Sequence, residues 1–136
     1  MKALVILNHQ LTEEQVKELK EKGYQEIVYL PDELKKEFAG LTPESILPTL
    51  REIHNFILRE NPDAIIIQGH NTIVAYLWYI CSTRGIKVLY AYSKRIVEEQ
   101  KKDDGTVEKK VVFRHEGFHE YHSPIVVEGY LNLSLS

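Results

Sequence analysis

A chain of 136 residues with a formal net charge of -3 is long enough to bury a single core without covalent staples, and too acidic to rely on broad contact with duplex phosphates. Its hydrophobic share of 43% and charged share of 27% are those of an ordinary globular protein, and no apolar run approaches the roughly 20 residues of a membrane span. MKALVIL is too short for a signal-peptide core, NHQLTEEQ offers no small-residue cleavage site, and the one cysteine, Cys81, lies in the apolar YLWYICSTRG; a cytoplasmic protein with a packed thiol and no redox or zinc chemistry is expected.

KALVIL (2–7) predicts a buried parallel strand that surfaces at Asn8 and His9. Thr12 with Gln15 three residues on reads as a capping box, and Gly23 closes the helix it opens. EIVYLP is a second strand and DELKKEF a short helical turn. TPESILPTLREIHNFILREN is a longer helix with Thr42 as cap and Pro43 at its first position. PDAIIIQGH repeats the first strand's pattern before the nearly all-apolar helix TIVAYLWYICSTRG, and IKVLYAYSKR is a fourth strand ending at Ser93, Lys94 and Arg95. Beyond it, Asp104-Gly105 marks the turn of an exposed hairpin between two charged, β-capable arms. The tail SPIVVEGYLNLSLS is open between an edge strand and partial disorder.

Strands alternating with helices give an α/β fold: a Rossmann-like, mostly parallel sheet with flanking helices and a C-terminal β-hairpin, in one domain over residues 1–122 with a tail over 123–136. In such a sheet the carboxyl ends share one edge, so Asn8 and His9, Gln68 to Thr72, and Ser93 to Arg95 are expected at one crevice.

QGHNT lacks a dinucleotide fingerprint and a P-loop, so no cofactor is expected. Gly69 lets a ligand approach the backbone, and Asn71 or Thr72 caps a helix whose free N–H groups suit a phosphate; a plain tight turn with a good cap is the bland alternative. Lys94 and Arg95 read either as a phosphate clamp or as a solvated pair. In FRHEGFHEY, Arg114, His115 and His119 are either solvated edge residues or the proton carriers and cation that RNA backbone cleavage wants, with aromatics such as Phe118 and Tyr121 to stack bases. That cleavage uses the ribose 2′-hydroxyl as an internal nucleophile and needs no metal. A ligand set from His115, His119 and His122 matches no metal-binding spacing. His54, within a helix, is given no role.

The ordered motifs NHQLTEEQ, YLPDELKKEFAGLTPE, IIIQGHNTIVAYLWYI, VLYAYSKR and VVFRHEGFHEY, spanning residues 4 to 121, resemble a small CRISPR-associated family with a stand-alone CARF fold, the Csx-twenty type. The resemblance implies a ring nuclease that binds cyclic tetra-adenylate across a twofold homodimer and cuts it to linear di-adenylate with a 2′,3′-cyclic phosphate, ending the antiviral signal of type III CRISPR defence. By position it implies roles for Asn8, His9, Gln68, Gly69, Lys94, Arg95, His115, Phe118 and Tyr121. Two positions depart from the pattern: His70 stands where an acid commonly follows QG, and His119 where an arginine commonly precedes the final xY. Proton transfer is expected from His70, His115 or His119, and ligand contacts from Asn71, Thr72, Ser93 and Arg114 as well. The alternatives are a sensor or sponge that binds the ring without cutting it, and a phosphate-metabolite enzyme on a generic fold.

Overall fold

Strands too apolar to face water on either side form the centre of the molecule. β1 (Lys2–Ile6), β2 (Glu26–Tyr29) and β3 (Ala64–Ile67) run parallel with the start of β4 (Lys87–Lys101), and β5 (Val107–Glu120) returns antiparallel along β4, giving the order β2-β1-β3-β4-β5. Every residue of β3 is buried, as expected for a strand covered on both faces. The computed structural model describes the backbone of residues 1–135 and the side chains of residues 1–132. Among the described residues, no helix is long and apolar enough to cross a membrane.

Strand alternation sorts the core into two layers. Leu4, Ile6, Ile65 and Ile67 pack against Leu34 and Phe38 of α2 (Asp32–Ala39), Ile53 and Phe56 of α3 (Ile46–Glu60), and Ile73, Leu77 and Cys81 of α4 (Asn71–Thr83). Ala3, Val5 and Ile66 face the other way, against Leu19 of α1 (Glu13–Glu21) and Phe118 of β5. One sheet face is therefore the α4 face and the other the α1 face. The chain changes face between β1 and β3, so the carboxyl ends of those two strands flank the switch-point crevice of a doubly wound sheet. The Rossmann-like α/β expectation holds, as do the capping box at Thr12 and the Asp104-Gly105 turn, where Gly105 takes φ +85°.

Three local expectations are corrected. The third helix starts at Ile46, not after a Thr42 cap with Pro43 at its first position. A start at Pro43 would have put Pro48 inside the helix, where its missing N–H breaks a bond; a start at Ile46 puts it in the first turn, where no partner is required. Ser45 precedes the helix, but its hydroxyl is engaged with Thr42, whose N–H donates to it at 2.8 Å. The tail is not an edge strand: residues Pro124–Leu135 form helix α5. Ser123 opens it, accepting from the Val126 N–H at its hydroxyl and from the Val127 N–H at its carbonyl, with Pro124 at the first helical position. Finally, Ser93, Lys94 and Arg95 do not end a strand. β4 parts from β3 after Leu89 and continues to Lys101 paired with β5 alone, a two-stranded ribbon projecting about 40 Å beyond the carboxyl edge.

Gly69 sits where the crevice meets the core. It takes φ +151°, and a Cβ there would lie 2.5 Å from the Phe38 ring. Gly69→Ala is therefore expected to cost about 1–3 kcal/mol through combined backbone strain and overpacking. Thermal denaturation checks this; an unchanged melting temperature would show that the β3–α4 turn relaxes freely.

Candidate functional site

The crevice is built from two strand ends. Asn8 and His9 follow β1, and Gln68, Gly69 and His70 follow β3, all exposed. The His9 Nδ1–H donates to the Gln10 carbonyl at 3.0 Å. His70, rather than Asn71 or Thr72, caps α4: it holds an extended backbone and its Nδ1 accepts from the Thr72 N–H at 3.2 Å. A ring that accepts at Nδ1 carries its proton at Nε2, so His70 brings a hydrogen-bond donor to the head of α4.

The ribbon's register decides which of the other residues act together, because residues directly opposite on a ladder share a face. Lys94 lies opposite Arg114, and Arg95 opposite Phe113. Neighbours in sequence, Lys94 and Arg95 thus point to opposite faces, and the expected Lys94–Arg95 clamp does not form. Lys94 and Arg114 share the α4 face with Tyr92, the Tyr90–His119 pair and, at the ribbon's root, Tyr121. Two cations opposite each other destabilise a ladder, and among the described residues no carboxylate lies in ion-pair range of either. Below them the aromatics interlock: His119 meets Tyr92 edge-on at 5.6 Å and Tyr90 at 6.0 Å, and Tyr90 lies 4.6 Å from Tyr121. Burial, then the neighbouring Tyr90, push the Tyr121 phenol up. A cavity of about 300 Å³ lined by Asn71, Val74, Trp78 and Tyr121 joins the head of α4 to this root, and the Trp78 Nε1–H donates to the His122 carbonyl at 2.7 Å. The α4 face therefore gathers His70, Asn71, Lys94, Arg114, His119 and Tyr121 on one side of the sheet.

Ser93, Arg95, His115 and Phe118 belong to the α1 face. His115 and His119 therefore cannot share a metal or a phosphate. His115 is anchored: its Nε2–H donates to Glu18 Oε1 at 2.8 Å, its Nδ1 lies 3.5 Å from the Gln15 side-chain amide, and its ring meets Phe118 edge-on. The other Glu18 oxygen accepts from the Phe118 N–H at 2.6 Å. This anchor grips the ribbon where its register shifts between Tyr92 and Ser93, beside Gly117 at φ +149°, where a Cβ would approach Glu18 Oε2 to 3.4 Å. Cys81 is buried, its thiol pushed up to about 11 by burial, as a packing residue should be.

Sequence reasoning missed Tyr90, Tyr92 and Glu18. The first two were legible: in YAYSK every second residue shares a face with Lys94 once the strand is known to continue. Glu18 had no local signal, since its partners lie about a hundred residues away.

Burial raises the Glu18 carboxyl, but the Phe118 N–H, the His115 ring and Lys22 together bring it below the ordinary glutamate value. A carboxylate lowered on folding adds stability that is complete above its unfolded pKa, about 4.3, and is lost as pH falls through the folded value. Glu18→Gln should therefore be less stable than the parent by about 1–3 kcal/mol near pH 7, with the gap closing below about pH 4. Urea melts from pH 3 to 7 measure this, and a gap independent of pH would mean that the anchor's charge is irrelevant.

No curated protein and no solved structure gives a match. A family model does, over residues 1–119, which take in β1 through the His119 row of the ribbon and stop before α5. The chain belongs to the Uncharacterized protein MJ1673 family.

Proposed function

We propose that this chain is a ring nuclease of type III CRISPR defence that cuts cyclic tetra-adenylate to linear di-adenylate with a 2′,3′-cyclic phosphate, with no metal required. One observation carries the reading: Lys94 and Arg114 lie opposite each other on the ribbon without a carboxylate partner, on the same face as Tyr92 and His119. Such a cation pair is tolerable when an anion bridges it, and a phosphate flanked by stackable bases is the anion these neighbours suit. The resemblance of the ordered motifs to CARF proteins narrows that ligand to a cyclic oligoadenylate.

In the reaction the ribose 2′-oxygen attacks the adjacent phosphorus as the bond to the 5′-oxygen breaks. His119 takes the 2′-hydroxyl proton and its conjugate acid delivers a proton to the leaving 5′-oxygen, so no water is consumed. Lys94 and Arg114 hold the phosphate and meet its developing charge, and the His70 Nε2–H and the backbone at Gly69 receive the ring at the crevice. His115 takes no part beyond anchoring the ribbon, and Arg95 lies on the far face.

Purified protein incubated with cyclic tetra-adenylate in EDTA should yield di-adenylate bearing a cyclic phosphate on mass-resolved chromatography. Lys94→Ala and Arg114→Ala should each weaken binding by roughly 10-fold or more, as expected for loss of a charge-assisted contact, while Arg95→Ala stays within about 2-fold. His119→Ala should abolish cleavage and retain binding. Intact ring recovered on the protein would assign a sensor or sponge instead. Unbound ring would reject the ligand class and return the site to other phosphorylated metabolites.

A further inference from the structure

The two faces of the sheet are covered unequally. Of helices α1 to α4, only α1 lies on the face of Ala3, Val5 and Ile66, and a helix about 10 Å across covers roughly two strands spaced about 4.8 Å apart. The sheet has five strands. Beside α1, toward β4 and β5, a cavity of about 310 Å³ is left between Lys22 and Tyr24 on one side and Lys87, Leu89, Phe118 and Glu120 on the other, with Met1 also in its wall. Lys87 opens β4, so this cavity lies at the amino edge of the sheet, whereas the crevice lies at the carboxyl edge.

Its walls are chemically mixed. Leu89 and Phe118 are buried and give an apolar floor. Tyr24 is only 4% exposed, and among the described residues no protein group bonds its hydroxyl. Burial, then the charges of Asp63 and Glu120, push the phenol up, so it keeps its proton and offers a donor. A donor so far from bulk water needs an acceptor, and the cavity is the open space that its side chain lines. Two opposite charges flank that space without meeting: among the described residues neither Lys87 nor Glu120 has an ion-pair partner. The charges around them are engaged. Lys22 Nζ donates to the Phe118 carbonyl at 3.3 Å and lies 3.7 Å from Glu18, the Met1 amine donates to the Gly23 carbonyl at 3.1 Å, and Asp63 accepts from the Lys2 N–H at 2.7 Å.

We propose that this cavity binds a small zwitterion of the α-amino-acid class, its carboxylate on the Lys87 ammonium and the Tyr24 hydroxyl, its ammonium on Glu120, and an apolar side chain over Leu89 and Phe118. The charge pattern selects the class. A plain anion would lie against Glu120 and a plain cation against Lys87, while an uncharged ligand would strip water from both and pair neither. The volume, at the lower end of small-molecule sites, suits a ligand of that size. Phe118 and Glu120 belong to β5, and Tyr24 to the segment after α1. An occupant therefore ties the root of the ribbon to the body of the sheet, alongside Glu18. The site is one for an effector that steadies the ribbon, and it stands whatever the crevice binds.

Calorimetric titration of the full chain with L-leucine, L-methionine and L-phenylalanine tests it; at least one should bind with a dissociation constant of about 1 mM or tighter. Analogues of that amino acid lacking the ammonium or the carboxylate, isocaproate and isoamylamine in the case of leucine, should bind roughly 10-fold or more weakly. Lys87→Ala, Glu120→Ala and Tyr24→Phe should each cost a similar factor, and the first two remove exposed side chains that the fold does not need. Lys17→Ala, on the exposed face of α1, should stay within about 2-fold. Saturating ligand should also slow hydrogen exchange at the Phe118 amide that Glu18 holds. No binding of any of the three at about 10 mM, far above the expected constant, overturns the proposal. So does an analogue with one charge that binds as tightly as the amino acid, or parent-like binding by both Lys87→Ala and Glu120→Ala. Binding that leaves the Phe118 exchange rate unchanged overturns the effector role.

Discussion

The change of partner along β4 is the constraint on which the rest depends. For three residues, Lys87 to Leu89, the strand is held by β3 inside a parallel sheet; from Tyr90 onward β5 is its only neighbour. A two-stranded ribbon in water is at best marginal by itself, so it needs an attachment that fixes both its position and its register. Glu18 supplies it. One carboxylate accepts from a backbone amide on β5 and from an imidazole two residues before the bulge glycine, and thereby sets which side chains continue the α4 face outward. A slip of one residue on β5 would exchange Arg114 for His115 and dismantle the cation pair.

Much of this fold was legible because strands and helices alternate with strong punctuation, and because a parallel strand buried on both faces leaves a run such as AIII unmistakable. The failures have a common physical origin. The start of the third helix follows from Pro48 rather than from the first plausible cap: a start before Ser45 would place Pro48 where its missing N–H is needed. The tail SPIVVEGYLNLSLS reads as open between an edge strand and partial disorder, although Ser123 and Pro124 spell a helix start, so local capping chemistry decides where composition does not.

The site was legible in its members more than in its grouping. Lys94, Arg114, His119 and Tyr121 are all legible in the sequence, yet the pairing that adjacency suggests, Lys94 with Arg95 and His115 with His119, is the one that the strands forbid. Adjacent residues point apart, and residues four apart on β5 are parted as well, because the extra residue at the bulge shifts the alternation between His115 and Phe118. Period-two arithmetic fails at that one place, and nothing in GFHEY announces the shift except a glycine.

The proposed division of work between His115 and His119 rests on environment rather than on residue type. Each is an imidazole on the same strand beside an aromatic ring. His115 has both ring nitrogens occupied, by Glu18 and Gln15, so its use as the proton carrier of the proposed reaction would disturb the anchor that holds the ribbon in place. In the proposed cleavage, cycling that proton would loosen the attachment at every turnover. His70 is bound in a similar way, since its Nδ1 lone pair is committed to the first turn of α4 and only Nε2 remains to meet a ligand. His119 is held instead by ring contacts with Tyr90 and Tyr92, and among the described residues no hydrogen bond of the fold uses its ring. A proton carrier must be positioned by contacts that its own titration leaves intact, and ring packing meets that requirement where ion pairing and capping do not.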